Sequence, residues 1–210
     1  MAFTIEMARL ALEKFNAVIE DKKEYLTNLD SAIGDADHGI NMNRGMKRVM
    51  EKIHDKEYGD FGGLFRDVAM TIMSAVGGSA GPLYGTFFMK AGQKLTGKST
   101  ASAEEFADAM QEGLGGIMAL GKSQAGDKTM VDALAPAIGA LRNGAAGCDA
   151  AAWKDAASAA EKGMADTVPM LAKRGRSSYL GERSIGHQDP GATSVSYLIS
   201  SFSNACAEKS

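Results

Sequence analysis

No stretch of this chain alternates apolar and polar residues cleanly at the two-residue period of a half-buried strand. Only 7 Val and 10 Ile occur in 210 residues, too few β-branched side chains for a sheet-based core. Helical periodicity is instead plain. From Phe3 to Asp21, Ile5, Leu10, Leu12, Phe15, Val18 and Ile19 fall roughly on one face at period 3.6. The same reasoning predicts helices over Asn43 to His54, Phe65 to Val76, Leu83 to Leu95, Ala103 to Leu120, Val131 to Asn143, Ala150 to Lys173 and Ala192 to Ala207. Ala, Met, Leu, Glu and Lys, which lose little on entering a helix, fill these segments. Pro136 and Pro169 should kink or end theirs. Connections are short except Gly121 to Met130 and Arg174 to Gly191. The expectation is an all-α, up-and-down bundle.

At 45% apolar and 23% charged the chain has an ordinary globular profile. A net charge of −3 without a basic run excludes nucleic acid as the expected partner. Cys148 and Cys206 are the only cysteines and form no CxxC, which speaks against a disulfide framework or structural zinc and fits a reducing cytoplasm. The N-terminus reads as an amphipathic helix and not as a signal peptide. Val68 to Met89 is uncharged and long enough to span a bilayer. Five glycines or prolines interrupt it between Gly77 and Gly85, so it reads as helix, loop, helix, with no membrane partner.

The densest chemistry lies in "LDSAIGDADHGINMNRG", Leu29 to Gly45. Asp30, Asp35 and Asp37 fall within eight residues. At ~5 Å and an effective dielectric of ~20 each pair repels by roughly 3 kcal/mol. Turn chemistry alone would make Asp37 a helix cap, put Asp35 in an Asx-turn and leave Asp30 solvated. An EF-hand is excluded, because Gly39 and Met46 stand at the fifth and twelfth loop positions. Mg²⁺ asks for only one or two carboxylates, with water and phosphate completing its shell, so three Asp suit up to two such ions. "SAVGGSAGPLYGT", Ser74 to Thr86, sets small residues before a helix, where free N–H groups make an anion site or a plain interhelical loop. "RGRSSYLGERSIGHQDPG", Arg174 to Gly191, carries three arginines on a long polar loop, a basic lid or a surface loop. "GQKLTGKS", Gly92 to Ser99, matches the P-loop pattern. It lacks the preceding strand and reads better as a glycine helix stop with basic residues at a helix C-terminus.

"GDADHGINMNRG", "GGSAGPLYGTFF", "AGDKTMVDAL" and "GRSSYLGERSIGHQDPGATS" together resemble the nucleotide-binding L subunit of dihydroxyacetone kinase. The resemblance covers essentially the whole chain, 1–210, as one L domain. It implies a closed barrel of about eight antiparallel helices with ADP or ATP at one end, bridged to the protein through two Mg²⁺ ions. Residue by residue, it implies Asp30, Asp35 and Asp37 as metal ligands, and His38, Gly39, Ile40 and Asn41 beside the nucleotide. Ser79 and Ala80 would meet its phosphates, and Gly121 and Met130 would flank the adenine. Arg176, Asp189, Pro190 and Gly191 would close the site, with Arg176 acting catalytically.

The resemblance also implies partners. A K subunit holds dihydroxyacetone, and in the phosphotransferase-system version an M subunit rephosphorylates bound ADP with phosphate drawn from phosphoenolpyruvate. ATP-dependent pairs acting on dihydroxyacetone or related ketoses use similar L subunits. A third role in the family is a nucleotide-charged module that docks on a transcription regulator.

Overall fold

The computed structural model describes residues 2–144 and 149–209. Cys148 lies outside them, as do Met1 and Ser210. Among the described residues there are nine α-helices: α1 (Ile5–Asp21), α2 (Lys23–Ile33), α3 (His38–Ile53), α4 (Phe61–Ala75), α5 (Ala80–Lys94), α6 (Ala103–Gly121), α7 (Val131–Gly144), α8 (Asp149–Asp166) and α9 (Pro190–Lys209). Two-residue strands β1 (Phe3–Thr4) and β2 (Thr100–Ala101) pair antiparallel, Phe3 opposite Ala101.

Eight of the helices close into a ring. α3, α4, α5, α6, α7, α8 and α9 pack each on the next, and α1 fills the gap between α9 and α3. α2 packs on α3, on α9 and on a 3₁₀ segment, Arg176–Ser184. The ring bears out the expected all-α closed bundle. Its centre is aromatic: the Phe106 ring lies 4.9 Å from Phe3, 5.3 Å from Phe61 and 5.5 Å from Trp153, all buried.

Local chemistry sets the helix ends. Thr4 caps α1 by accepting from Met7 N–H, and Ser102 and Glu105 form a capping box on α6. At the other end of α3, the Arg9 guanidinium donates to the carbonyls of Ile53, His54 and Lys56. Pro136 sits inside α7 and leaves the Asp132 carbonyl without its helical donor. α8 passes so close there that a Cβ on Gly163 would lie 2.2 Å from that oxygen.

Four sequence expectations shift. α2 was not foreseen: its polar "KEYLTNLDSAI" buries only Leu26, Asp30 and Ile33, and one of those three is a carboxylate. Phe3 and Thr4 are strand, not helix. α8 stops at Asp166, before Pro169, instead of running to Lys173. The segment after Arg174 is 3₁₀ and not irregular, with a break at Gly181, whose φ is 56°. The P-loop pattern is indeed a helix stop. It closes α5, Gly97 turns at φ 78°, and Lys98 pairs with Glu105. The uncharged stretch resolves into α4, a turn and α5, and no helix among the described residues is long and apolar enough to cross a membrane.

Candidate functional site

The acidic turn is built by a buried carboxylate. Asp30, in the last turn of α2, accepts the Asp37 N–H at 2.8 Å and the His38 N–H at 3.1 Å through Oδ2. Its Oδ1 lies where a Cβ on residue 34 would be, 2.0 Å away, so only glycine fits at Gly34. Ala36 turns the chain at φ 60°, a left-handed conformation that costs a non-glycine residue about 1 kcal/mol. The result is a cluster in which Asp30, Asp35 and Asp37 each offer an oxygen within 4.8 Å of the others. Helix capping does not account for it. Asp37 occupies the cap position of α3 but its side chain makes no capping bond, and Asp30 is buried instead of solvated. One cation already faces the cluster: Arg176 Nη2 stands 2.9 Å from Asp35 Oδ2.

His38 ties this turn to two other helices. Its Nε2 lies 2.9 Å from Ser194 Oγ on α9, and Tyr84 OH on α5 lies 2.8 Å from the same oxygen. Ser194 Oγ also stands 3.1 Å from the Gly191 carbonyl, so one hydroxyl links His38, Tyr84 and the first turn of α9. Burial lowers the pKa of His38 against the opposing charges of Asp30 and Asp37, which favours the neutral ring.

The glycine-rich turn faces the acids. Gly78 has φ 65°, and a Cβ there would stand 3.9 Å from Asp37 Oδ1. Gly77 passes the Asn41 amide so closely that a Cβ would fall 2.9 Å from Asn41 Oδ1. Arg44 holds that amide from the other side, donating to Asn41 Oδ1 at 2.8 Å and to the Ala75 carbonyl at 2.9 Å. Ser79 and Ala80 open α5, with no side chain capping its first N–H groups.

The remaining expected residues stand around this end. Gly39 lets α3 start against α2, since a Cβ would lie 2.0 Å from the Lys23 carbonyl. Ile40 is half exposed. Gly121 ends α6, with a Cβ there 3.4 Å from Leu83 in the first turn of α5. Asp189 accepts from Ala192 N–H at 2.6 Å, Pro190 begins α9, and a Cβ on Gly191 would stand 3.6 Å from that of the mostly buried Met130. Burial pushes the Asp189 carboxyl up to about 7, although the Ala192 N–H opposes the shift.

Sequence reasoning missed Tyr84 and Ser194, which are polar residues on buried helix faces. It also missed Asp127, Lys128 and Asp132. The signal for these was present in "AGDKTMVDAL", three charged residues within six positions, all buried in the structure.

A cluster of hard carboxylate oxygens opposite a glycine turn at a helix N-terminus suits a divalent cation bridging to phosphate. On a closed all-α ring, such a site places the chain in the class of helical proteins that handle phosphate groups. The chain belongs to the DAK2 domain family, whose model matches residues 32–204. It is 42% identical over 199 residues to the ADP-binding subunit DhaL of the PEP-dependent dihydroxyacetone kinase of Escherichia coli, covering 94% of this chain and 95% of that one. The ADP-binding subunit DhaL of the PTS-dependent enzyme of Lactococcus lactis is 40% identical, with 93% and 95% covered. The dihydroxyacetone kinase of C. freundii, solved with AMP-PNP and Mg²⁺, superposes with a TM-score of 0.74 at 26% identity. That match covers 94% of this chain but 34% of the solved one, so this chain spans about a third of that structure. The family suggested by the four motifs is thus the family found.

Proposed function

We propose that residues 1–210 form a single L domain, the nucleotide-carrying subunit of a dihydroxyacetone kinase. Bound ADP is charged by a phosphotransferase-system M subunit, and the phosphoryl group passes to dihydroxyacetone held on a K subunit, in the cytoplasm. The carrying observation is the convergence of three carboxylates, the Gly77–Ser79 turn and Arg176 at one end of the ring. Support for the phosphoenolpyruvate route comes from relatives matched over nearly their full length, whose names specify PEP or PTS dependence.

The residues fit Mg²⁺: their donors are hard oxygens, and a guanidinium already stands against one of them. Asp30, Asp35 and Asp37 would hold two ions, which when bound neutralise phosphate oxygens. The N–H groups of Ser79 and Ala80 would receive phosphate. His38 to Asn41 would line the nucleotide, Gly121 and Met130 the adenine, and Asp189 to Gly191 the rim. Arg176 would leave Asp35 and stabilise charge on the phosphoryl group in flight. Among the described residues none is assigned as a base toward the dihydroxyacetone hydroxyl, and that role would fall to the K subunit.

Purified protein should release ADP detectable by mass spectrometry. Reconstitution with K and M subunits should phosphorylate dihydroxyacetone from phosphoenolpyruvate without added ATP. A strict need for stoichiometric ATP would replace the M-subunit route with the ATP-dependent one. A pull-down against the K subunit and against a transcription regulator separates the catalytic role from a docking role.

A further inference from the structure

Lys128 is the one lysine among the described residues whose side chain is fully buried, and its partners are all main-chain oxygens. Its Nζ lies 2.9 Å from the carbonyl of Thr167, 3.4 Å from Val168 and 3.1 Å from Met170. It also lies 2.7 Å from the carbonyl of Ser184 and 2.5 Å from that of His187. Three of these carbonyls precede the 3₁₀ segment Arg176–Ser184, one closes it and one follows. Among the described residues no carboxylate stands within ion-pair distance of this ammonium. Burial draws its pKa down, and the Asp189 charge opposes that.

The turn that carries Lys128 is itself fixed. Lys128 has φ 61°, and Asp132 accepts from Gly126 N–H at 2.5 Å and from Thr129 N–H at 2.7 Å. Asp127 adds a second tie, through the Lys173 N–H to its carbonyl at 3.1 Å and Arg174 Nε to its carboxylate at 3.2 Å. A buried charge costs several kcal/mol unless polar groups surround it, and five carbonyl dipoles drawn from both flanks of one segment do so. They also leave that segment one way to lie.

We propose that Lys128 is a positioning residue for phosphoryl transfer: its ammonium cinches the two ends of the 167–187 segment and so sets Arg176 over the acidic turn. The inference rests on the function proposed above for that turn. Arg176 itself is exposed and reaches Asp35 from the middle of a polar segment. Nothing in its own surroundings fixes its direction as firmly as the cage fixes the segment's base.

The test compares Lys128→Met, which keeps an unbranched side chain one atom shorter and removes the charge, with the natural protein. Trypsin cleavage at Arg174, Arg176 and Arg183 should quicken by about tenfold, because the cage no longer opposes local opening. Turnover in the reconstituted system should fall by about a hundredfold while Mg²⁺-ADP affinity changes less than about threefold, the split expected of a misplaced transition-state group. A second variant, Lys128→Ala, removes Cγ through Nζ, and n-propylammonium restores those atoms. Added n-propylammonium should recover lid protection and turnover, and n-propanol should not. Natural cleavage and turnover in Lys128→Met would overturn the proposal. So would loss of helical circular dichroism in both variants without recovery by the amine, since Lys128 would then serve the whole fold. If the natural protein fails to bind Mg²⁺-ADP the functional reading falls, whereas the cleavage difference between variants still decides the cage.

Discussion

The three aspartates of the turn differ in what they do. Asp30 organises: both N–H groups it accepts belong to the chain that positions Asp37 and His38. Asp35 and Asp37 make no such bonds and are left to face a cation. Asp35→Asn or Asp37→Asn should therefore abolish Mg²⁺-dependent nucleotide binding with helix content intact, measured by titration calorimetry and circular dichroism. Unchanged affinity in both would remove the metal assignment. Asp189 carries a different expectation. Its folded pKa, about 7, lies above the ordinary 3.8, so the folded state holds the proton more tightly than the unfolded chain. That stabilisation is full below about pH 4 and is lost as pH rises through 7. Asp189→Asn keeps an acceptor for Ala192 N–H and removes the charge. It should leave urea stability unchanged near pH 4 and raise it by roughly 4 kcal/mol at pH 8. A pH-independent difference would refute this.

Among the elements, the segment from Arg174 to Gly191 reaches mechanism. Gly175, Gly181 and Gly186 all sit at positive φ, which marks the places where the chain bends, whereas its base is tied down at Asp127 and Lys128. Mg²⁺-ADP should protect Arg174, Arg176 and Arg183 from trypsin, because phosphate oxygens give the arginines further partners. Arg176→Ala should lower turnover more than it weakens binding. Cleavage insensitive to nucleotide would take the segment out of the mechanism, and normal turnover in Arg176→Ala would do the same for that residue. The end of α5 gives the contrasting expectation. Lys98 pairs with Glu105 at a half-exposed helix junction, and such pairs contribute only ~0.2–1 kcal/mol. Lys98→Ala should change turnover less than about threefold, and a hundredfold loss would restore a phosphate role to that motif.

For the whole molecule, ring closure depends on the aromatic centre. Phe106 touches Phe3, Phe61, Phe65, Trp153 and Phe202, contributed by β1, α4, α8 and α9. Phe106→Ala should cost about 3–5 kcal/mol, read as a fall in urea midpoint. If the protein is still folded at low temperature, Mg²⁺-ADP affinity should hold within about threefold, because no candidate site residue is among the rings packed on Phe106. A large loss of affinity at preserved fold would show that centre and site are coupled.

Whatever rests on neighbours in the chain was legible in the residues alone. Helix class follows from 3.6-residue spacing. Asp30, Asp35 and Asp37 must be close because one turn spans them, and glycines announce the turn before α5. The arginines of Arg174 to Gly191 were visible as a basic segment for the same reason. Tertiary structure decided what depends on distance along the chain: that α1 lies between α9 and α3, that Asp30 is buried, and that Arg176 reaches Asp35. Burial is a property of the packed whole, so a polar helix such as α2 hid its role. Lys128 shows this most clearly. In the sequence it is one more charged residue in a polar loop, and only the folding back of 167–187 around it, five carbonyls to one ammonium, turns it into a fixed point.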